Sequence, residues 1–382
     1  MVKEKEVVKP GKLSISDLKN MLNKKAGIQI AHDLQNDNPT LVKEWIPTGS
    51  TWLDSIICRG KKAGIPVGKI VELAGLEATG KSYMAAQIAG NAQKKGLTPV
   101  YFDSESAIDP VFLQKAGCDL NNLLYIQATS VEATLEYIEE LLKNAPGRYL
   151  FIWDSLANTP TISDNEGDFN PQSSMAVKAR VMSKGFAKLT IPIAESQSTL
   201  LILNQLKTQI TGDGNPKYWT TEQKYFTPGG KSPAYAYSLR IWLTQPKAKD
   251  DFVNDSRGFR IGSSVGAKLI KSRFGSQGRT CEFKILWGDT VGILDDESLF
   301  EAIQSSPHLV TGAWNILKFE DGKEIKFRAD DFVQNMKEPK FRARVMELLD
   351  QEVVQKFDKR EGTADQFYEK VGDIEEPHDE VT

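Results

Sequence analysis

The residues with the clearest capacity for chemistry form one short segment of the chain. They are Gly75, Leu76, Glu77, Ala78, Thr79, Gly80, Lys81 and Ser82. Their order fits G-x-x-x-x-G-K-[ST], the pattern of a phosphate-binding P-loop, whose glycines let successive backbone N–H groups approach an anion. Lys81 would reach the β- and γ-phosphates, and the Ser82 hydroxyl would bind Mg2+. The segment therefore predicts a site for a nucleoside triphosphate, which we take to be ATP, with Mg2+.

The surrounding sequence supplies the elements that a P-loop needs. Lys69–Ala74 before it predicts a strand, and Tyr83–Ala89 after it predicts a helix. Further strand-like runs are Thr98–Asp103, Leu123–Ala128, Tyr149–Asp154 and Thr199–Gln205. The helical patterns between them are Ala107–Ala116, Val131–Asn144 and about Ser174–Glu195. This alternation predicts a parallel sheet with helices on both faces. Three later runs are expected to extend the sheet as hairpins: Ser238–Thr244, Gly266–Arg273 and Cys281–Leu286.

Polar side chains end three of the predicted strands, at the edge where open α/β sheets place their ligands. Asp154 ends an apolar strand and is expected to hold Mg2+, directly or through water. Glu105 follows another strand and is our candidate for the base that activates water; Asp103 is a rival that the sequence barely separates from it. Gln205 is expected to sense the γ-phosphate, although a solvated glutamine at a strand end would look the same.

Composition and charge limit the other functional classes. The 382 residues carry a net charge of −3, so any nucleic-acid site must be a local patch. Cys58, Cys118 and Cys281 show no paired spacing, which argues against a disulfide framework or a zinc site. No run approaches the ~18 apolar residues of a membrane span. These features predict a soluble, cytoplasmic protein without a membrane partner.

The chain divides by pattern into four predicted parts. They are an N-terminal arm and linker at 1–45, an α/β core at 46–290, a small C-terminal domain at 291–360 and an acidic, disordered tail at 361–382. The arm is expected to form an amphipathic helix over Ser14–Lys25, capped by Ser16, whose apolar face docks on another subunit. A hairpin is predicted around Asp321 and Gly322.

The ordered motifs GLEATGKS, YFDSES followed by DP, YLFIWDS and LILNQ resemble those of the RecA recombinases. The longer stretch FDSESAIDPVFLQKAGCDLNNLLY resembles them as well. The resemblance covers residues 46–290, and within the family the chain looks most similar to phage recombinases of the UvsX type. It implies a RecA-like P-loop ATPase core with a mostly parallel central sheet flanked by helices, a short N-terminal helical arm and a small C-terminal α/β domain.

The resemblance also implies roles at the nucleotide site. It makes Glu105 the water-activating carboxylate, which decides by analogy between the two candidates left open above. Asp109 and Phe112 fall where the family contacts adenine; Phe112 replaces a more usual tyrosine, so stacking survives and a phenolic hydrogen bond does not. Lys271 and Arg273 fall where the family carries two lysines that reach the ATP of the neighbouring subunit, and arginine can also bind phosphate. The implied catalytic set is Lys81, Glu105, Gln205, Lys271 and Arg273.

Two loops belong to DNA in the family that the chain resembles. The first is about Thr159–Ser174, and Met175 and Arg180 in the helix after it match family positions near DNA. The second, Leu206–Gly230, interleaves cations with aromatic rings, which suits single-stranded DNA; packing of the rings under a lid is the alternative. We expect it to be a structureless loop. Its expected contacts are Lys207, Lys217, Tyr218, Trp219, Lys224, Tyr225, Phe226, Gly229, Gly230 and Lys231.

Together these features predict a DNA-dependent ATPase that forms helical filaments on single-stranded DNA and catalyses homologous pairing and strand exchange with double-stranded DNA. The expected state is a homo-oligomer, and a single-strand-binding or mediator protein is a candidate partner. Two alternatives stay open at this point. One is a RecA-fold ring helicase, and the other is an ATP-binding recombination regulator without significant turnover.

Overall fold

Strands and helices alternate along most of the chain. The computed structural model describes residues 14–27, 29–36, 38–106, 108–167, 175–209, 220–229, 231–245, 252–287 and 291–354. Its strands are β1 (Trp45–Ile46), β2 (Ile65–Pro66), β3 (Ile70–Gly75), β4 (Thr98–Asp103), β5 (Leu124–Gln127), β6 (Tyr149–Asp154), β7 (Thr199–Gln205), β8 (Lys207–Thr208), β9 (Tyr225–Phe226), β10 (Leu239–Thr244), β11 (Phe252–Asn254), β12 (Arg260–Ser272), β13 (Thr280–Trp287), β14 (Val291–Ile293), β15 (Leu309–Val310), β16 (Asn315–Lys318) and β17 (Glu324–Phe327). Its helices are α1 (Ile15–Ala26), α2 (Thr51–Ile57), α3 (Lys81–Gln93), α4 (Pro110–Lys115), α5 (Val131–Asn144), α6 (Ile162–Glu166), α7 (Met175–Glu195), α8 (Thr221–Lys224), α9 (Lys231–Ala236), α10 (Asp295–Ala302), α11 (Phe332–Asn335) and α12 (Pro339–Leu348).

Ten strands of the described ranges form one sheet in the order β14-β13-β12-β10-β3-β7-β6-β4-β5, and β11 pairs with the beginning of β12. The strands from β10 to β5 in this order run parallel to their neighbours. The strands β11, β12, β13 and β14 are antiparallel additions at one side. The predicted α/β fold with a mostly parallel central sheet flanked by helices is confirmed.

The three later runs extend the central sheet as antiparallel neighbours, as expected. The first of them, Leu239–Thr244, also joins the P-loop strand β3 in parallel, with Leu239 opposite Val71 and Leu243 opposite Gly75. About 30 residues separate β7 from β10, which is long enough for the crossover that a parallel neighbour requires. The antiparallel additions begin only with β12, which runs back along β10.

Apolar side chains cover both faces of the sheet. One buried cluster, which includes Leu73 and Ile88, packs α2, α3 and the C-terminal helices against one face. A second cluster, which includes Ile138 and Phe186, packs α5 and α7 against the other face. Strands covered on both sides read as near-continuous apolar runs, as β3, β6 and β7 do. A polar ligand can therefore reach these strands only at their ends. The P-loop leaves β3 at its carboxyl end.

The N-terminal helix α1 has no buried residue. Its cap is Ser14, whose Oγ accepts from the backbone N–H of Asp17 at 3.1 Å while the Asp17 carboxylate accepts from Ser14 N at 3.2 Å. The predicted cap, Ser16, is wrong, because it lies inside the first turn. The side chains of Ile15 and Met21 are 73% and 52% exposed, so the helix presents an apolar stripe to its surroundings.

The C-terminal segment forms a small antiparallel sheet in the order β15-β16-β17. The predicted hairpin at Asp321 and Gly322 is confirmed, with Lys318 opposite Glu324 on the two strands. Phe327 and Phe341 pack edge to face and belong to the same buried cluster as α2 and α3.

The predicted domain boundaries stay predictions. Residues 1–13 and 355–382, with the expected acidic tail, lie outside the described residues. Within the described ranges, no helix combines the length and the apolar character that a bilayer crossing requires.

Candidate nucleotide and DNA site

The P-loop turns sharply between β3 and α3. Ala78 and Gly80 have φ angles of 56° and 80°, in the left-handed region, and the Thr79 hydroxyl donates to Leu76 O at 2.8 Å. A Cβ at position 80 would lie 2.5 Å from Cδ1 of Ile285 on β13, so a larger residue there would have to displace the Ile285 side chain and would also adopt a strained left-handed φ. Helix α3 begins at Lys81, directly after the loop, and has no side-chain cap, so the N–H groups of its first turn can bind an anion.

Lys81 folds back over the loop that carries it. Its Nζ donates to the carbonyl oxygens of Gly75 at 3.2 Å and Leu76 at 2.8 Å. Desolvation lowers the pKa of Lys81, although the carboxylates of Asp154, Glu105 and Glu77 act in the opposite direction. An ammonium group held by carbonyl oxygens alone can exchange them for phosphate oxygens, which are stronger acceptors for a cation.

Ser82 and Asp154, the two predicted Mg2+ ligands, contact each other. The Ser82 Oγ donates to Asp154 Oδ2 at 3.0 Å, and the Tyr101 hydroxyl donates to the same oxygen at 2.8 Å. Burial raises the pKa of Asp154, and its bonds with Tyr101 and Ser82 oppose that rise. Tyr101 is a neighbour that the sequence did not single out.

These oxygens fit Mg2+, which prefers hard oxygen ligands and commonly takes one or two from the protein and the rest from phosphates and water. Within the described ranges, no group of three or more His, Cys, Asp or Glu side chains is arranged to hold a metal. A hydroxyl beside one carboxylate matches a metal that takes its other ligands from nucleotide phosphates and water.

Glu105 and Asp103 have different surroundings. The Asp103 side chain is buried, and its Oδ1 accepts from the backbone N–H groups of Glu105 at 2.9 Å and Ser106 at 3.0 Å. Glu105 is exposed, and its Oε1 accepts from Ser155 Oγ at 2.9 Å and Asn158 Nδ2 at 2.6 Å. Asp103 thus holds the turn, whereas Glu105 presents an oriented carboxylate beside the P-loop.

The ends of β4 and β6 are joined by Ser104. Its backbone N–H donates to Asp154 O at 2.8 Å, and its Oγ accepts from Ser155 N at 3.0 Å. The Asp154–Ser155 peptide bond is cis. These contacts fix the segment that carries Glu105 relative to the strand that carries Asp154.

Gln205 lies directly beside the start of the P-loop. It pairs with Gly75 across β7 and β3, and the next residue, Leu206, donates its N–H to Gly75 O at 3.0 Å. The register thus puts Gln205 at the strand end that adjoins the P-loop, and its role as sensor of the γ-phosphate stays a prediction.

A cavity of about 360 Å³ adjoins the P-loop. Its lining residues are Ala78, Gly80, Lys81, Ser82, Tyr83, Phe112, Arg260, Ile285 and Trp287. Phe112 packs edge to face on Tyr83, with ring centroids 5.9 Å apart, and Asp109 caps α4 by accepting from Val111 N at 2.8 Å. An aromatic wall has the character that stacking on a nucleotide base requires, and the adenine contacts of Asp109 and Phe112 stay predictions.

Arg260 and Trp287 also line this cavity, and no sequence pattern singled them out. The Arg260 guanidinium lies 3.7 Å from the ring centroid of Phe252 and 5.0 Å from that of Trp287. Arg260 and Trp287 belong to β12 and β13, about 180 and 200 residues beyond the P-loop, and neither residue is part of a short sequence motif. Only the pairing of the added strands brings them to the site.

Lys271 and Arg273 lie away from their own chain's P-loop. Lys271 pairs with Arg240 and so lies level with Glu72 in β3, before the strand reaches Gly75. Lys271 Nζ donates to the carbonyls of Ala234 and Tyr235 at 2.8 and 2.9 Å, and Arg273 Nη2 donates to Tyr235 O at 2.9 Å. The two cations thus lie toward the amino-terminal edge of the parallel strands.

The second candidate DNA loop has a structured base. β8 and β9 form a two-stranded ribbon with Lys207 opposite Phe226 and Thr208 opposite Tyr225. The expectation of a structureless loop is therefore wrong at this base, because the short strands pair their backbone groups across it. Lys207 and Phe226 are exposed, whereas Tyr225 packs beside Trp242.

The remaining DNA candidates divide into those that the structure describes and those that it does not. Lys224 ends the short helix α8, Gly229 has a φ of 106°, and Arg180 is exposed on α7. Met175 and Lys231 begin α7 and α9. Lys217, Tyr218, Trp219 and Gly230 lie outside the described residues, as do residues 168–174 of the first loop.

Residues 13–292 match the RecA N-terminal domain. The chain belongs to the RecA family. The match ends just after β14 begins, so α10 and all later elements lie beyond the part that the family assignment covers.

Relatives named RecA support the same assignment. The RecA protein of Bifidobacterium breve is 31% identical over 269 residues, which is 70% of this chain and 64% of that protein. The RecA proteins of Symbiobacterium thermophilum and Heliobacterium modesticaldum are 31% and 30% identical, over 71% and 77% of this chain and 73% and 80% of their own lengths. The chain thus spans just under two thirds of the first of these relatives. The closer similarity to phage recombinases stays a prediction.

Proposed function

We propose that this chain is an ATP-dependent recombinase that forms filaments on single-stranded DNA and catalyses homologous pairing and strand exchange, with DNA-stimulated ATP hydrolysis. The observation that carries the proposal is the continuity of one strand. β7 ends at Gln205 beside Gly75, and the next residues form the ribbon that bears Lys207 and Phe226. The candidate nucleotide sensor and the candidate DNA surface are therefore adjacent in the same backbone.

At the nucleotide site, the P-loop N–H groups and Lys81 would bind the phosphates, and Ser82 and Asp154 would hold Mg2+. When bound, Mg2+ would neutralise charge on the phosphate oxygens. Glu105 would orient and accept a proton from the attacking water, because the donors Ser155 and Asn158 hold its carboxylate in place. Asp109 and Phe112 would contact the adenine.

Coupling to DNA would begin at Gln205. An amide that bonds the γ-phosphate holds the start of the second loop in one position, and hydrolysis removes that contact. The proposed DNA contacts on the loop are the cations and rings named above, except that the exposed Phe226 rather than the packed Tyr225 supplies the stacking ring of the ribbon. Met175 and Arg180 belong to the same proposed DNA surface. By linkage, single-stranded DNA should raise ATP affinity by the factor by which ATP raises DNA affinity.

Assembly would place each nucleotide between two subunits. Because Lys271 and Arg273 lie toward the amino-terminal end of β3 rather than at its carboxyl end, their proposed catalytic role requires a neighbour's nucleotide. The exposed apolar stripe of α1 is the proposed docking surface for a second copy of the chain. Double-stranded DNA, a mediator protein and a cytoplasmic location belong to the same proposal, and three free, buried cysteines are compatible with a reducing compartment.

The test is an ATPase assay combined with electron microscopy, each with and without single-stranded DNA. Helical filaments with hydrolysis stimulated by DNA are expected, and Lys81→Ala should abolish ATP-dependent filament growth. Closed rings that form without DNA would indicate the helicase alternative. ATP binding with negligible turnover, in the presence and absence of DNA, would indicate the regulator.

A further inference from the structure

A buried polar network crosses three neighbouring strands next to the P-loop. Glu72 on β3 lies opposite Arg240 on β10, and Arg240 Nε donates to Glu72 Oε2 at 2.6 Å. Their side chains are only 1% and 13% exposed. Asn204 on β7 donates from Nδ2 to the other carboxylate oxygen, Glu72 Oε1, at 3.1 Å. Both oxygens of a buried carboxylate are thereby bonded to its two neighbouring strands.

The same network holds the returning end of the second candidate DNA loop. Arg240 Nη2 donates to Thr227 Oγ1 at 3.0 Å, and Asn204 Nδ2 donates to Pro228 O at 3.1 Å. Gly229 follows with its left-handed φ of 106°. The two buried side chains therefore hold two consecutive residues at the point where the loop rejoins the core.

The Arg240 guanidinium is fixed by more than its ion pair. It lies 5.7 Å from the ring centroid of Tyr237 and 5.7 Å from that of Trp242. Its planar group presents Nε and Nη2 in fixed directions, so the bond to Glu72 also sets the direction of the bond to Thr227. A buried ion pair contributes little net stability compared with apolar residues of similar volume. What this arrangement does supply is a defined position for Thr227.

The network also reaches the nucleotide sensor. Asn204 directly precedes Gln205, and its Oδ1 accepts from the Gln205 N–H at 3.0 Å. Glu72 lies on the strand that enters the P-loop at Gly75. A shift of Gln205 toward a γ-phosphate would therefore change the bonds of Asn204 to both Glu72 and Pro228.

We propose that Thr227, Asn204, Arg240 and Glu72 are positioning residues that anchor the returning end of the DNA loop and transmit the nucleotide state from Gln205 to it. The inference rests on the proposed function. Gln205 would act on the outgoing end of the loop, and the network would act on the returning end. Both ends of the candidate DNA loop would then respond to the same phosphate.

The test compares Thr227→Val, which keeps the branched shape and removes the hydroxyl, with Thr227→Ser, which keeps the hydroxyl. The Kd for a fluorescent oligothymidylate is measured with and without a non-hydrolysable ATP analogue. The Kd without the analogue divided by the Kd with it gives the coupling. Thr227→Val is expected to lower that ratio about tenfold through loss of one hydrogen bond to a charged group. Thr227→Ser should restore it, and basal ATPase activity without DNA should remain that of the wild type in both variants.

Equal coupling in the wild type and Thr227→Val would overturn the inference, and so would equal loss of coupling in Thr227→Val and Thr227→Ser. Absence of coupling in the wild type itself would instead contradict the proposed function, so the two failures are distinguishable. Arg240→Lys keeps the charge beside Glu72 and loses the fixed fork. If Thr227→Val does not fold, Arg240→Lys takes its place in the test and should lower the coupling in the same way. Wild-type coupling in a folded Arg240→Lys would contradict the proposal that these residues anchor the loop.

Discussion

Asp103 and Glu105 lie two residues apart, and their different hydrogen-bond partners suit the two carboxylates to different roles. The backbone N–H groups of Glu105 and Ser106 both donate to Asp103, whereas Glu105 accepts bonds only from the side chains of Ser155 and Asn158 among its described partners. A carboxylate that fixes a turn cannot move toward a substrate without breaking the turn. An exposed carboxylate with side-chain donors can.

Glu105→Gln should therefore keep nucleotide-dependent filaments and lower the ATPase rate by roughly 10²- to 10⁴-fold, the usual contribution of a general base. Asp103→Asn is the matched comparison, and its main effect should be a lower unfolding free energy. Steady-state hydrolysis and microscopy measure the first effect, and urea unfolding measures the second. Wild-type hydrolysis by Glu105→Gln, with loss of hydrolysis in a folded Asp103→Asn, would transfer the role of base to Asp103.

The cavity wall formed by Arg260 and Trp287 gives a second prediction. Removing either side chain should weaken binding of a fluorescent ATP analogue by about tenfold, because a stacked ring or a charged hydrogen bond contributes on the order of 1–2 kcal/mol. Arg257→Ala and Trp314→Ala are matched controls, since both residues are exposed and neither lines the cavity. Equal effects of the control and test variants would exclude a specific contact.

Asp54 gives a prediction about pH. Desolvation of its carboxylate raises its pKa to about 8, although Thr48 donates to it from Oγ1 at 2.7 Å. The folded state then keeps a proton that the unfolded state has released, so the unfolding free energy should fall as pH rises from about 4 to 8, by at most ~1.4 kcal/mol per pH unit. Asp54→Asn should flatten this dependence in urea unfolding at several pH values. Asp321→Asn, at an exposed site where Lys323 lowers the pKa, should leave it unchanged.

The site residues that the sequence predicted are those that a local pattern marks. The P-loop, Asp154 and Gln205 each lie at the end of an apolar run, so local spacing reveals them. Arg260 and Trp287 line the same cavity, but they reach it through strand pairing that no local pattern encodes. Tyr101 was missed for another reason: it reads as one more apolar residue of β4, and only its bond to Asp154 shows its polar use.

At the scale of elements, the ribbon of β8 and β9 separates two aromatic residues that the sequence treated alike. Phe226 is 45% exposed, and Tyr225 packs with Leu206 and Trp242 against β3. A ring can bind a nucleotide base only if its face is accessible. The alternative of local packing is thus the better description for Tyr225, and base stacking stays the proposal for Phe226.

Phe226→Ala should weaken binding of single-stranded DNA by about 1–3 kcal/mol, the usual cost of one lost stack, without changing the unfolding midpoint. Tyr225→Ala should lower the midpoint, because it leaves a gap against Trp242. Fluorescence anisotropy and thermal unfolding distinguish the two effects. If Tyr225→Ala weakened DNA binding and Phe226→Ala lowered the unfolding midpoint instead, Tyr225 would be the DNA contact.

Elements with strong periodicity were predicted to within a residue or two. Thr98–Asp103, Tyr149–Asp154, Thr199–Gln205 and Val131–Asn144 have the bounds that the sequence indicated. The helix Thr51–Ile57 and the strand Phe252–Asn254 were missed. Short elements form few local contacts of their own, so their conformation depends on tertiary packing, which a local pattern does not contain.

At the scale of the whole molecule, the placement of Lys271 and Arg273 predicts complementation between subunits. A double variant Lys271→Ala, Arg273→Ala and the variant Glu105→Gln should each be inactive alone. In a mixed filament, about a quarter of randomly formed heterologous interfaces would join an intact Glu105 to an intact basic pair, so DNA-dependent ATPase activity should recover to roughly that fraction. Recovery would support a site shared by neighbours, and a strictly inactive mixture would indicate that the two cations act within one subunit.

The order of strands in the central sheet also has a consequence during synthesis on the ribosome. The P-loop strand β3 pairs only with β7 and β10 among the described strands, and both come later in the chain. About 170 residues separate Gly75 from Thr244, so at typical translation rates β3 would wait on the order of 10–30 s for its second partner. Both edges of this apolar strand are unpaired until β7 is made, and one edge stays unpaired until β10 is made, which makes the nascent chain a natural client for a chaperone. The residues that define the mature site would be among the first made and among the last to gain their complete surroundings.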